Sequence, residues 1–310
     1  MNIMNTTSHA LRRCLTAWVV LLSATNLVAA RGEEPAAGSA AQRWTLTTRD
    51  TTLTLGIGAD QSLCLCELRG PDGWNWTGAA SPFPLLDRIA VAGTPVALHW
   101  TYRDAAIDKS DGQKISLTFT NAEPAMELMS VWQAHDGPGP VRHTMFITNR
   151  SGQPVTIYEQ ESLAVRLASP AGAAHVWYIS NDAGVPDETG VYRDALVAGY
   201  RKVLQIAEGQ NFIPYAVVDA GGSQGVYIGW EWSIGRIALA CDTAGAVTLQ
   251  AGNGDEFKTD LGADETFEVP PGFIGAYQGD LDDAANSLHQ YLFNHSVPEV
   301  LRADPTFPKV

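Results

Sequence analysis

Residues 212–239 decide the fold class of this chain, and they read FIPYAVVDAGGSQGVYIGWEWSIGRIAL. Two apolar runs flank the pair Gly221-Gly222, which is the pattern of two antiparallel strands joined by a tight turn. Tyr227, Gly229 and Glu231 are expected to face one side of the second strand. Side chains at the alternate positions are expected to share the other face: Val226, Ile228, Trp230 and Trp232. Two tryptophans that flank a glutamate would form a flat, aromatic and acidic surface, which suits a sugar.

The same two-residue period recurs along most of the chain from Arg43 onward. Each run ends in a turn cluster such as Gly70-Pro71-Asp72-Gly73. Strands at this density, without helices between them, exclude a βαβ protein and predict a large antiparallel all-β fold. The pattern is longer than an immunoglobulin-sized sandwich of about 100 residues. We therefore expect a larger two-sheet sandwich over residues 43–279.

The first thirty residues are predicted to be a secretory signal peptide. Arg12 and Arg13 precede the apolar segment 14–24, and Val28-Ala29-Ala30 supplies the small residues before a cleavage site expected after Ala30. The apolar segment is too short to span a bilayer as a helix. Residues 31–42 show no periodicity and are expected to form a flexible leader. These features predict a secreted or periplasmic protein.

The predicted mature chain is strongly acidic. The whole sequence has 20 basic and 34 acidic residues, and removal of the two arginines of the signal leaves 18 basic residues and a formal net charge of −16. Such a surface repels nucleic acid and anionic membranes, so neither is an expected partner. A neutral ligand such as a glycan is unaffected.

Three cysteines remain after the predicted processing: Cys64, Cys66 and Cys241. An odd and small number in an exported protein of this length does not indicate a disulfide framework. Buried free thiols are expected, while a bond from Cys241 to Cys64 or to Cys66 stays open.

One segment near the C-terminus departs from the strand pattern. Apolar residues over 281–292 follow helical spacing, Asp280 suits the N-cap, and Asp282 and Asp283 suit the positive end of the helix dipole. We expect a single helix of about three turns. An extended tail with three prolines is expected to follow it and to run to Val310.

Several motifs occur in a recognisable order. They are a strand at 126–132, the phrase PVRHTMFITN at 140–149, the stretch 212–239, the phrase FEVPPGF at 267–273 and the helix start at Gly279-Asp280. Together they resemble the N-terminal β-supersandwich of α-galactosidases of glycoside hydrolase family 36. The resemblance runs from about Trp44 to Val310 and implies a galactose mutarotase-like two-sheet β-supersandwich with one C-terminal helix.

The resemblance implies no catalytic residue in this sequence. In that family the helix leads into a (β/α)₈ barrel that carries the catalytic aspartates, and a barrel needs about 250 residues. Only thirty residues of this sequence follow Asp280. Retaining hydrolysis needs two carboxylates about 5 to 5.5 Å apart, and the elements that would hold them lie in the barrel. Residues 280–310 are interpreted as a helix and tail that would lead into such a barrel.

Five residues are candidates for contact with a sugar: Trp230, Glu231, Trp232, Trp74 and Trp76. The resemblance implies that the sandwich can lend a loop to the rim of a sugar pocket, where aromatic faces stack on sugar C–H groups. The alternative is that Trp230 and Trp232 face the core or a barrel, and that Trp74 and Trp76 pack in the core or in an interface.

Histidine, metal and cofactor chemistry have weaker signals. A sugar epimerase needs a histidine acid and a carboxylate base, and no spacing pairs His135, His143 or His175 with a carboxylate. His143 alternates with Val141 and Met145, which indicates a hydrogen-bonded core histidine, whereas His135 lies in a turn and is expected to be solvated. The sequence contains no metal-ligand spacing or cofactor motif, so neither a metal nor a cofactor is expected.

Three functional hypotheses follow. The first is an exported carbohydrate-binding or accessory domain without hydrolytic activity of its own. Its partners would be a galactoside-like carbohydrate and either a separately encoded barrel domain or a second copy of the chain. The second hypothesis is a self-contained sugar mutarotase or epimerase. The third is an inactive, truncated glycosidase.

Overall fold

A computed structural model describes residues 42–168, 170, 172–180, 190–207 and 212–306. All of these residues belong to one compact unit. The predicted signal peptide and residues 31–41 of the predicted leader lie outside the described residues.

The described residues are mostly strand. In chain order the strands are β1 (Gln42–Thr47), β2 (Thr52–Ile57), β3 (Leu63–Arg69), β4 (Ser81–Pro82), β5 (Arg88–Val91), β6 (Thr94–Ala97), β7 (Thr101–Asp108), β8 (Gln113–Asn121), β9 (Met126–Ala134), β10 (Val141–Asn149), β11 (Val155–Tyr158), β12 (Glu161–Leu167), β13 (Ala174–Ser180), β14 (Gly190–Ala195), β15 (Arg201–Ile206), β16 (Phe212–Ala220), β17 (Gln224–Trp230), β18 (Gly235–Cys241), β19 (Val247–Gly252), β20 (Lys258–Leu261) and β21 (Thr266–Gln278). Two α-helices follow, α1 (Leu281–Tyr291) and α2 (Glu299–Ala303), with one π-helical turn (Leu292–Ser296) between them.

The strands form one large sheet and three small ones. The large sheet has nine strands in the order β14-β13-β16-β17-β21-β10-β9-β8-β7. The four-stranded sheets have the orders β1-β2-β3-β4, β20-β11-β5-β6 and β12-β19-β18-β15. The predicted all-β antiparallel sandwich is confirmed. Its second layer consists of three sheets, since several of its strands are only two to four residues long and end before they could join one continuous sheet.

One face of the nine-stranded sheet packs against all three small sheets around a single apolar core. The alternation in the sequence predicts this face correctly, because Ile115, Leu117 and Phe119 of β8 are at most 3% exposed. Residues of the small sheets, such as Leu53 and Leu249, are completely buried in the same core.

The opposite, outer face of the nine-stranded sheet carries aromatic rings that lie over glycines of the neighbouring strand. β17 and β21 pair in register so that each of three rings is directly opposite a glycine: Tyr227 with Gly275, Phe273 with Gly229, and Tyr277 with Gly225. A Cβ atom on any of these glycines would overlap the facing ring. The alternation of glycine and aromatic residues therefore produces a flat aromatic layer on this face.

Helix α1 covers that aromatic layer. The Asp280 side chain accepts hydrogen bonds from the amides of Asp282 and Asp283, and the Asp283 carboxylate accepts one from the Asp280 amide, so the predicted N-cap is confirmed as a capping box. The helix buries its apolar side chains against the rings of β17 and β21: Ala284, Leu288 and Tyr291. The short helix α2 interrupts the tail that the sequence predicts to be extended.

A half-buried aspartate connects α1 to the first hairpin of the domain. Asp50, in the β1–β2 turn, accepts a hydrogen bond from Ser287 Oγ at 2.5 Å. Its other carboxylate oxygen accepts one from the Gly139 amide at 2.8 Å. The first hairpin, the β9–β10 turn and α1 thereby share one anchoring side chain.

The three cysteines of the described chain are free thiols, as expected. Cys66 and Cys241 are buried, and burial raises the pKa of both thiols, which makes them poor nucleophiles. None of the helices in the described segments is long and apolar enough to cross a membrane.

Candidate functional site

The consecutive residues Trp230, Glu231 and Trp232 point in three different directions. β17 ends at Trp230, so the alternation does not continue to Trp232. Trp230 is 1% exposed and packs in the core, whereas Trp232 is 57% exposed. The prediction that the two tryptophans share one strand face is therefore wrong, and the reason is the turn that begins after Trp230.

This turn is folded around the Trp230 indole. The indole Nε1 donates a hydrogen bond to the Ile234 carbonyl oxygen at 3.0 Å. Gly235 lies so close to the indole that a Cβ atom there would overlap it. The Glu231 amide donates to the Pro271 carbonyl at 2.9 Å and ties the turn to β21. Since both ends of the turn are fixed, Trp232 is held at its exposed apex.

Glu231 belongs to a different contact. Arg142 Nε donates to Glu231 Oε2 at 2.9 Å, with the two side chains 30% and 22% exposed. Burial, and secondarily the Glu231 charge, raises the pKa of Tyr291 at the end of α1. The carboxylate therefore lies between the sheet and the helix and does not line the cleft beside Trp232.

Trp232 lines an open cleft with a volume of ≈ 680 Å³. This size is within the range of about 300 to 1,000 Å³ that is typical of ligand pockets. The walls are mostly apolar, and polar groups lie among them. The lining residues are Trp232, Ile234, Asn253, Gly254, Glu256, Phe257, Phe267, Glu268, Pro270 and Pro271.

The cleft offers one kind of chemistry, which is the binding of a neutral ligand with an apolar face. The exposed Trp232 indole supplies a flat surface, and the Phe257 and Phe267 rings pack against each other with centroids 5.4 Å apart. Glu256 and Glu268 can accept hydrogen bonds from hydroxyl groups. Among the described residues, no group of three or more His, Cys, Asp or Glu side chains could hold a metal ion.

Phe257, Phe267 and Pro270 are absent from the contact residues that the sequence predicts. Phe257 lies between β19 and β20, whereas Phe267 and Pro270 lie in β21, and they meet Trp232 only through the folding of these strands around the turn. The phrase at 267–273 could have indicated Pro270 and its neighbour Phe267, since two consecutive prolines are unusual within one strand.

The second predicted tryptophan pair also separates. Trp76 is 1% exposed, and its amide donates to the Leu68 carbonyl at 2.7 Å, while Trp74 is 40% exposed in the preceding turn. Neither lines the Trp232 cleft. Burial places Trp76 and Trp230 out of the reach of a ligand, and Trp74 stays a prediction.

His143 is a core residue, as the alternation indicates. It is 0% exposed, and its ring stacks on Trp132 with centroids 4.0 Å apart. Burial lowers its pKa from 6.5 to about 3. A histidine that is neutral at every physiological pH and closed off from solvent cannot act as the acid of an epimerase.

His135 is not solvated, contrary to the expectation. Its side chain is only 11% exposed, because it stacks on His295 of the π-helical turn with ring centroids 3.9 Å apart. The β9–β10 turn therefore packs against the segment that follows α1.

Two histidines have a carboxylate nearby. His135 Nδ1 lies 3.4 Å from the exposed Asp111. His175 is the one whose carboxylate neighbour is buried. Its Nδ1 lies 4.0 Å from Asp219 Oδ2, on neighbouring strands β13 and β16 of the outer face. Arg193 Nη2 lies 2.9 Å from the same Nδ1 and stacks over Trp177. Asp219 lines a small pocket of ≈ 310 Å³ beside the start of α1. Pairing across a sheet creates this proximity, so the spacing along the chain could not reveal it.

No protein-family model matches the chain, and no curated protein matches its sequence. Solved structures do match its fold. The family 36 α-galactosidase AgaA from Geobacillus stearothermophilus matches with a TM-score of 0.71 and 11% identity, over 84% of this chain and 44% of the enzyme. An α-galactosidase from Lactobacillus brevis matches with a TM-score of 0.66 and 12% identity, over 81% of this chain and 41% of the enzyme.

A third match has a different length. The Slr1438 protein from Synechocystis matches with a TM-score of 0.52 and 13% identity, over 76% of this chain and 95% of its own. The chain thus spans less than half the length of the two α-galactosidases. At these identities the likeness concerns the fold, and the resemblance predicted from the order of the motifs is confirmed at that level.

Proposed function

We propose that this chain, which has the fold of the N-terminal domain of family 36 α-galactosidases, is an exported accessory domain that binds carbohydrate in the Trp232 cleft. The observation that carries the proposal is the Trp232 indole, which is 57% exposed in a large cleft with apolar walls. An exposed aromatic cluster of this kind usually marks a contact surface, and its neighbouring carboxylates suit hydroxyl groups.

α-Galactosides are the first ligands to test. Structures that share the fold include AgaA variants in complex with raffinose and with stachyose. Isothermal titration of the mature protein with raffinose, stachyose and a galactomannan measures the affinity. We expect Trp232→Ala to weaken binding roughly tenfold or more. An aromatic side chain that a ligand covers typically contributes a large part of the binding energy.

Ile107→Ala is the matched comparison, because Ile107 is also a large apolar residue that is exposed but lies outside the cleft. The proposal expects its affinity to equal that of the unaltered protein. Equal affinities for the Trp232→Ala and unaltered proteins would refute the assignment of the cleft.

The proposal assigns no hydrolysis to this chain alone. The catalytic carboxylates of the resembled family belong to a barrel, and no residue of this sequence is assigned to that role. Incubation of the purified protein with an aryl α-galactoside should give no release of the aryl group above background. Robust turnover would contradict the proposal.

Association with a barrel domain or with a second copy of the chain is a further part of the proposal. Large apolar side chains that are more than 40% exposed on the outer sheet face support it, such as Val191 and Ile213. Sedimentation velocity over a hundredfold concentration range, with and without a candidate barrel protein, tests for association. A single monomeric boundary in every mixture would oppose it.

Export is supported by the charge and apolar pattern of residues 1–30 alone. Cell fractionation and N-terminal sequencing of the mature protein test this point. We expect the mature chain to begin near Arg31 in an extracytoplasmic fraction, and a cytoplasmic protein that retains Met1 would oppose export.

A second candidate function, a sugar epimerase, is favoured by the proximity of His175 to the buried Asp219, which lines a pocket. Arg193 already occupies His175 Nδ1, and Asp219 Oδ1 accepts a hydrogen bond from the Gly222 amide at 2.8 Å. Both groups are therefore engaged within the protein, which makes carbohydrate binding the better proposal. Faster interconversion of galactose anomers in a polarimeter, lost in His175→Ala, would favour the epimerase.

A further inference from the structure

A second, polar pocket of ≈ 240 Å³ lies next to the Trp232 cleft. The connection between β11 and β12 forms one wall, residues 84–88 form another, and Arg236 of β18 completes it. The two cavities meet at Asn253, which lines the cleft and donates its side-chain amide to Gln160 Oε1 of the pocket at 3.2 Å.

Two buried hydrogen-bond donors at this pocket have no partner among the described residues. They are Gln160 Nε2 and Arg236 Nε. Gln160 is 3% exposed, and its Oε1 is held by Asn253, so the orientation of its amide group is fixed. Because buried donors are almost always paired, a ligand that accepts hydrogen bonds is favoured here.

The charges of the pocket select against anionic ligands. Arg88 pairs with Glu159 at 3.3 Å, and Arg236 pairs with Glu161 at 2.8 Å. Asp87 adds a third carboxylate to these two guanidinium groups. A phosphate or carboxylate would meet a net negative lining, whereas a hydroxyl group can donate to a carboxylate and accept from an amide or a guanidinium.

The size of the pocket limits the ligand to a single ring. Its ≈ 240 Å³ is smaller than the range of about 300 to 1,000 Å³ typical of drug-sized ligands. It also differs from the Trp232 cleft because polar side chains dominate its lining, and its one aromatic lining residue is the half-buried Tyr158.

We propose that the pocket at Gln160 is a subsite for one neutral, hydroxyl-rich sugar residue, separate from the stacking surface at Trp232. This subsite rests on the proposed function for the class of its ligand, but its residues are different. Gln160 Nε2 and Arg236 Nε donate to ring hydroxyls, and Glu159 and Glu161 accept from them.

Nuclear magnetic resonance reports the two sites independently. The mature protein is titrated with methyl α-D-galactoside and methyl α-D-glucoside up to 100 mM. The side-chain amide signals of Gln160 report the pocket, and the indole N–H signal of Trp232 reports the cleft. Saturable shifts of the Gln160 signals are expected, and their absence overturns the subsite. The Trp232 signal tests the proposed function separately, since it reports binding in the cleft.

Gln160→Glu is the informative variant, since it keeps an oxygen for Asn253 and removes the unpaired donor. We expect it to raise the dissociation constant at the pocket by about three- to tenfold, which is the loss of one hydrogen bond. Gln153→Glu, at an exposed position, adds the same charge and should leave the constant unchanged. If the Gln160→Glu protein has a normal melting temperature and an unchanged dissociation constant, the subsite is overturned. The same holds if Gln153→Glu raises the dissociation constant equally. Should Gln160→Glu fail to fold, Arg236→Lys, which removes Nε, takes its place with the same expected change.

Discussion

His143 Nε2 lies 2.8 Å from Ser130 Oγ in the middle of the core. The same hydroxyl oxygen accepts a hydrogen bond from the Trp132 indole at 2.8 Å, so its own proton is directed at Nε2. The ring proton is then on Nδ1, which faces the Ser162 carbonyl. Strands β9, β10 and β12 are therefore joined by a polar chain that requires a neutral histidine.

This arrangement predicts a loss of stability in mild acid. The unfolded chain binds a proton at His143 with a pKa near 6.5, while the folded chain binds it only at about 3. Stability is thus fully present above pH 6.5 and falls as the pH decreases towards 3. Between pH 6.5 and pH 5, the free energy of unfolding is expected to fall by about 2 kcal/mol for this reason. Urea titrations of the unaltered protein and of His143→Gln measure it, and parallel pH profiles would contradict the prediction.

The glycines beneath the aromatic layer should resist substitution. A Cβ on Gly229 would meet the Phe273 ring, which is 5% exposed and has little room to move. We expect Gly229→Ala to destabilise the fold by about 1–3 kcal/mol. Gly152→Ala is the control, since nothing lies within 4 Å of a Cβ at that position. In chemical denaturation, the double variant Gly229→Ala, Phe273→Ala should lose less stability than the sum of the losses in the two single variants.

Helix α1 should loosen when its anchor is removed. Asp50→Ala deletes the acceptor of Ser287 Oγ and of the Gly139 amide. Hydrogen bonds to a charged group contribute about 1.5–3 kcal/mol each, so exchange of the α1 amides should accelerate by roughly ten- to a hundredfold. Asp104→Ala, an exposed substitution on β7, is the control for hydrogen-exchange mass spectrometry. Equal exchange in both variants would refute the anchoring role.

Reductants should have no effect on the folded protein. The structure pairs none of Cys64, Cys66 and Cys241. Thiol titration of the mature protein in denaturant should therefore count three thiols, and its melting temperature should be the same with and without dithiothreitol. A count of one would indicate a disulfide and would contradict this prediction.

Much of the fold can be predicted from the sequence because its strands alternate strictly. The buried residues Leu53, Leu55 and Ile57 illustrate this for β2, and Asp280 marks the start of α1 by local capping chemistry. These signals act over a few residues. The division of the second layer into three sheets depends on pairings between distant strands, for which no local signal exists.

The candidate site was harder to predict for a physical reason. Whether Trp232 continues the strand depends on the hydrogen bond from Trp230 to Ile234 and on the close approach of Gly235. This one turn buries Trp230 and exposes Trp232, whose contact with a sugar stays a prediction. Gln160 gains its position from Asn253, which is 93 residues away in the chain, so no local signal reveals it.

The contact between Asp50 and Ser287 joins residues 237 positions apart. The first hairpin of the sandwich and its last long helix are therefore neighbours in space. Forming this contact closes a very long loop, so it costs more chain entropy than the turn between two adjacent strands. Helix α1 is therefore expected to dock on the sandwich after the sheets have formed, so that its amides gain protection late in a refolding experiment.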